Sequence, residues 1–141
     1  MQAALGRLRL EFAGKIHFEA RDFPLRDLTL RAAEAVRCAA DQGKGEEMRA
    51  QVFGGQAGWS ASPAPDPIWT GYARGLGLNV EKWGGCVRAE FHRKAIEADR
   101  DLGVRMGVNA TPTIFIGKRR VDGAAAFERL AEMFRAELQG N

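Results

Sequence analysis

The sequence predicts an α/β protein in which short strands near the two ends frame a long helical middle. Three observations carry this. Lys15 to Phe23 alternates, with Ile16, Phe18 and Ala20 on one side and Lys15, His17, Glu19 and Arg21 on the other, the period of a half-buried strand. Thr113-Ile114-Phe115-Ile116 is a continuous run of strand formers, the pattern of a strand covered on both faces. Between them, from Asp27 to Gly103, apolar residues recur at helical spacing.

Residues 2–12 fit two periods. Leu5, Leu8 and Phe12 lie at helical spacing, whereas Leu8, Leu10 and Phe12 alternate with Arg7, Arg9 and Glu11. The helix is preferred, with Gly14 suited to its left-handed C-terminal position. Strand 15–23 ends at Pro24, which has no N–H for a ladder. Asp27 caps a helix whose stripe is Leu28, Ala32, Ala35, Val36 and Ala39, and Gly43 ends it. Glu46 to Phe53 forms a short helix that buries Met48, Val52 and Phe53. Gly54, Gly55 and Gly58 then loosen the chain into a loop over Ser60–Pro67, with Pro67 opening the next helix, Ile68 to Gly75. Asn79 caps Val80 to Val87, and Arg88 to Gly103 continues as a helix with Phe91, Ala95, Ile96 and Leu102 inward. After the apolar strand, Gly117-Lys118 makes a hairpin turn into a charged edge strand, Arg119–Asp122. The last helix has its stripe at Phe127, Leu130, Ala131, Phe134 and Leu138.

Composition narrows the function. The chain has 141 residues, enough for one domain, and 21 basic against 18 acidic residues leave a net charge of only +3. No Lys/Arg block stands out, so nucleic acid is not an expected partner. No apolar run approaches the ~20 residues that span a bilayer, so no membrane partner is expected. Met1–Leu10 is interrupted by Arg7 and Arg9 and does not read as a secretory signal. Cys38 and Cys86 are the only cysteines, so the 141 residues contain no CxxC and no zinc-type cysteine spacing. There is no Gly-rich phosphate loop, and neither a cofactor nor a metal is expected.

The element order, with Thr111-Pro112 just before the apolar strand, is that of a thioredoxin fold with a helical insertion. Gly107–Gly117 (GVNATPTIFIG) resembles the cis-proline segment of the DsbA-like thioredoxin family. Gly14–Leu25 (GKIHFEARDFPL) is similar to that family's second strand and its exit. Ala32–Lys44 (AAEAVRCAADQGK) is similar to the first helix of its inserted helical domain, and Gly123–Phe127 to the start of its final helix. The resemblance implies one domain over residues 1–141, with a helical insertion at about 26–104. The family's first strand and its CxxC would precede Gly14, where thirteen residues stand and none is cysteine. The chain therefore resembles a family member without its first strand, and no catalytic residue is assigned. An open sheet edge follows, to be covered by a Leu8–Phe12 hairpin, by closure of the flanking strands, or by a second chain. The resemblance implies the C-terminal portion of a thiol–disulfide oxidoreductase, itself redox-inactive. The alternative is a redox-inactive thioredoxin-fold module that binds peptide or forms a homodimer through that edge. Relatives work mostly outside the cytoplasm, but the sequence assigns no compartment.

Thr111 and Pro112 are the candidate substrate-binding residues: in this family the loop pairs its backbone with an extended, unfolded client peptide. For Cys38 and Cys86 three readings stand: a redox pair, a structural bridge and two free thiols. A thioredoxin-type dithiol needs a low-pKa thiolate at a helix N-terminus with its partner close by, and Cys38 sits deep in its helix. Some members of the family carry a second, structural disulfide in the helical insertion, which makes the bridge the reading to test. His17 and His92 read as solvated surface histidines. Trp59, Trp69 and Trp83, with Tyr72 and Phe53, read as core or groove lining. Glu46, Glu47, Glu97, Asp99 and Asp101 read as a solvated, ion-paired face.

Overall fold

The computed structural model describes residues 2–140 and is mostly helical with a small two-stranded sheet. In chain order the elements are α1 (Gln2–Glu11), α2 (Asp27–Ala40), α3 (Gly45–Gly54), α4 (Gln56–Ala61), α5 (Asp66–Gly75), α6 (Val80–Arg88), α7 (Arg93–Arg105), β1 (Thr113–Ile116), β2 (Arg119–Asp122) and α8 (Phe127–Gln139). They form two compact units. One joins the residues up to Ala20 to those from Gly103 onward, and the other is Arg21–Leu102.

The first unit is built on α1, α8 and the β1–β2 hairpin. Its core is Leu8, Phe12, Ile116, Val121, Leu130, Ala131 and Phe134, with Ile16, Phe18 and Ile114 packed against it. The ambiguity of residues 2–12 resolves as a helix because Leu10 is 82% exposed. A strand would have placed Leu8, Leu10 and Phe12 on one face. The hairpin pairs Ile116 with Arg119, so Gly117-Lys118 is a two-residue turn. Gly117 adopts φ 56°, the left-handed region such a turn needs.

The expected strand over 15–23 does not form. Among the described residues the sheet contains β1 and β2 alone, and a strand exists only where its N–H and C=O groups find a neighbour. The apolar side of the pattern still works in part, since the Phe18 ring lies 5.6 Å from that of Phe134. Nor is β1 covered on both faces. Ile116 is buried but Phe115 is 40% exposed, because the core lies against the face of Ile114, Ile116 and Val121 only.

The second unit centres on α2, which packs on α3 and α6. Its core holds Ala35, Val36, Cys38, Ala39, Met48, Val52, Trp59, Trp69, Ala73 and Trp83. Helix α2 begins at Asp27, which is therefore not its cap. Instead the Thr29 hydroxyl accepts from the Arg26 N–H at 3.0 Å and donates to the Arg26 carbonyl at 2.8 Å. Helix α4 occupies glycine-rich chain expected to be loop. Its Trp59 is buried and donates its indole N–H to the Val52 carbonyl at 2.7 Å, an anchor that overrides weak local propensity. Asn79 caps α6 as expected, its side chain accepting from the Lys82 N–H at 2.9 Å. The expected helix 88–103 is broken after Arg88: Glu90 turns at φ 49° and α7 starts at Arg93. That break leaves Phe91 exposed, and Ala95, Phe53 and, in α8, Leu138 are exposed too, all contrary to the helical stripes.

Candidate functional site

Two places bring chemistry-bearing groups together, one in each unit. The first is the Thr111-Pro112 segment at the entry to β1. The Thr111–Pro112 peptide bond is cis. Arg120 on β2 fixes the approach, donating to the Gly107 carbonyl at 2.9 Å and to Asp122 Oδ1 at 2.8 Å. The Thr113 hydroxyl donates to the Ala110 carbonyl at 2.9 Å, closing the loop ahead of the strand. Gly123 N–H donates to the Pro112 carbonyl at 2.8 Å and extends the ladder by one pair.

That bond fixes the phase of the whole strand. In an antiparallel pair the backbone groups of alternate residues point to the partner and away from it. Pro112, Ile114 and Ile116 turn toward β2, so Thr113 and Phe115 turn their N–H and C=O groups to the opposite edge. Among the described residues no third strand pairs there, and the N–H and C=O of the exposed Thr111 engage no partner.

The second place is the Cys38–Cys86 disulfide, which joins α2 to α6 across a sequence separation of 48. It is a bridge rather than two free thiols. Cys38 lies in the interior of α2, within Asp27–Ala40, not at an N-terminus. Sequence reasoning missed the groups around it. Glu34, one turn before Cys38, is 1% exposed. Its Oε1 accepts from the His92 N–H at 2.6 Å and lies 3.7 Å from Cys38 Sγ, while Oε2 has no partner among the described residues. Burial pushes its carboxyl above the ordinary range, and the His92 N–H only partly offsets this. Its place one turn from Cys38 was legible, but nothing in the sequence showed that Phe91-His92 would fold back over it.

His92 is likewise not a solvated surface residue. Its Nε2 lies 2.7 Å from Asp41 Oδ2 and its side chain is 18% exposed. Asp41 Oδ2 is also 3.8 Å from Cys86 Sγ. His17, by contrast, is exposed as expected. Trp59, Trp69 and Trp83 are core, Tyr72 is partly buried beside them, and Phe53 stands outside. Of the acidic residues read as a solvated face, Asp99 is the correction. It is buried, accepting from Arg21 at 2.9 Å, Arg37 at 2.6 Å and the Asp22 N–H at 3.1 Å. Glu97 and Glu47 do form the surface pairs expected, with Arg93 and Lys44.

A family model described as Thioredoxin matches residues 2–135. No curated protein and no solved structure matches the chain. No helix among the described residues is long and apolar enough to cross a membrane.

Proposed function

We propose that this chain, which belongs to the thioredoxin family, holds extended client segments in the manner of a DsbA-like thiol–disulfide oxidoreductase. In this reading Thr111 and Pro112 open the binding edge, and the 141 residues carry no dithiol chemistry of the thioredoxin type. The observation that supports it is the free edge of β1, where Thr113 and Phe115 direct backbone donors and acceptors away from β2, while the N–H and C=O of Thr111 just ahead of the strand engage no partner among the described residues. An extended peptide satisfies such groups by adding a strand, with main-chain hydrogen bonds supplying affinity. The redox half of the reading rests on the absence of a CxxC from the sequence and on the mid-helix position of Cys38. The resemblance to the DsbA-like family at Gly107–Gly117 supplies the client class, an unfolded or extended protein segment.

The test is a titration of isotope-labelled chain with an extended apolar peptide. The amides of Thr111, Thr113 and Phe115 shift first. N-methylation of the peptide at the alternate positions facing β1 removes two hydrogen bonds, worth together about 2 kcal/mol, and weakens binding by more than about tenfold. Methylation at the intervening positions leaves binding unchanged. Equal loss in both registers, or shifts confined to other elements, overturns strand addition at this edge. A stable dimer by light scattering, with these amides protected from exchange, assigns the edge to a second copy instead. Turnover in an insulin-reduction assay that survives Cys38→Ser and Cys86→Ser overturns the redox-silent half.

A further inference from the structure

The sequence offers no metal-ligand spacing, yet the fold gathers two sulfurs and an imidazole. The ligand atoms of Cys38, Cys86 and His92 all lie within 4.8 Å of one another. Three separate segments deliver them: α2, α6, and the turn between α6 and α7. Cys38 is buried, and Cys86 and His92 are half-buried, so the cluster is walled on one side and reachable on the other. Asp41, just past the end of α2, lies against two of the three, 2.7 Å from His92 Nε2 and 3.8 Å from Cys86 Sγ.

We propose that reduction of the Cys38–Cys86 bridge opens a site for a divalent cation of the zinc type, with Cys38, Cys86, His92 and Asp41 as its four ligands. Tetrahedral zinc, with bonds of about 2.3 Å to sulfur and about 2.0 Å to nitrogen or oxygen, holds its donors roughly 3.3–3.8 Å apart. The cysteine and histidine donor atoms lie within 4.8 Å of one another and Asp41 Oδ2 lies 3.8 Å from Cys86 Sγ, so the shell closes once the bonded sulfurs part and Asp41 draws back from His92 Nε2, 2.7 Å away; the two cysteine Cα atoms are 5.9 Å apart. Parting the sulfurs therefore asks for side-chain rotation rather than movement of α2 against α6. Two thiolates and an imidazole select a borderline-soft ion over calcium or magnesium, which prefer oxygen. The His92 backbone is already held, since its N–H donates to Glu34 Oε1 at 2.6 Å. Glu34 is a positioning residue in this scheme.

The chemistry balances with a dithiol as reductant. The dithiol gives two electrons and two protons to the S–S bond, which breaks to two thiols, and the dithiol ends as its own disulfide. Each thiol then loses its proton to solvent as its sulfur takes the metal, and His92 ligates as the neutral ring. The oxidised chain has its sulfurs bonded to each other and holds no such ion. The site is thereby open only to the reduced protein.

The experiment uses the whole chain and cobalt(II) as probe, with a phosphine as reductant. The phosphine takes its oxygen from water, becomes the phosphine oxide and leaves no competing thiol. Reduced protein shows thiolate-to-cobalt charge-transfer absorption and the visible bands of tetrahedral cobalt, both displaced by zinc. Oxidised protein shows neither. His92→Ala and Asp41→Asn each weaken cobalt binding by about tenfold or more while the thiolate bands persist. Far-UV circular dichroism follows the fold throughout. If the reduced chain loses helicity, its recovery on adding zinc supports the site, and failure to recover refutes it. Charge-transfer bands of equal strength in oxidised protein, no bands in folded reduced protein, or both variants binding like the parent overturn the proposal.

Discussion

Replacing the Cys38–Cys86 bridge by alanine at both positions removes a cross-link between residues 48 apart. In the chain-entropy treatment, a loop of that length restricts the unfolded chain by about 14 cal/mol/K, or about 4 kcal/mol at 25 °C. The folded side changes less by comparison, because alanine differs from cysteine by the sulfur alone and the helix packing of α2 on α6 remains. For a chain of 141 residues the same loss lowers the melting temperature by roughly 14 °C. The assay is denaturant unfolding followed by tryptophan fluorescence. Trp59, Trp69 and Trp83 all lie in the unit that carries the bridge, so the signal reports that unit directly. Oxidised protein, reduced protein and the Cys38→Ala/Cys86→Ala variant are compared, with intact mass after alkylation establishing the oxidation state of each. The expected result is a loss of about 3–4 kcal/mol, nearly equal for reduction and for the double variant. A loss below about 1 kcal/mol in both refutes a constraining role. A large loss in the variant with none on reduction shows that the cost is packing, not the cross-link.

The remaining predictions concern buried polar atoms of the same unit. Trp59 donates its indole N–H to Val52 at 2.7 Å, whereas the equally buried Trp69 indole has no partner among the described residues. Trp59→Phe is therefore more destabilising than Trp69→Phe by about 1 kcal/mol in urea unfolding, and equal losses contradict the assignment. Glu34 keeps its proton longer in the folded than in the unfolded chain because burial raises its carboxyl. Its contribution to stability is full below the ordinary carboxyl value of 4.5. It falls as pH rises through the raised folded value, since unfolding there releases a proton. Glu34→Gln cannot ionise, so the variant gains on the parent as pH climbs from 4.5. A stability difference that does not change with pH refutes the assignment.

Local pattern determined much of this protein. The stripe at Phe127, Leu130, Ala131 and Phe134 sufficed for α8. Asn79 marked the start of α6, and Gly117-Lys118 the hairpin turn with its register. These are properties of neighbours in sequence, where period and capping chemistry act directly. The Thr111-Pro112 segment, too, was marked by its residues alone.

Other features waited on the tertiary structure because each depends on what a residue meets across space. Residues 15–23 have the alternation of a strand, but alternation describes a face, and strand formation requires a hydrogen-bonding neighbour. The glycines around Gly55 read as loop until burial of Trp59 made α4 worthwhile. Above all, a separation of 48 residues carries no instruction that Cys38 should meet Cys86. Nothing local places His92 over Glu34 and Asp41 either. That meeting follows from packing α6 on α2 and from the break after Arg88. It turns two distant cysteines and a lone histidine into a single cluster.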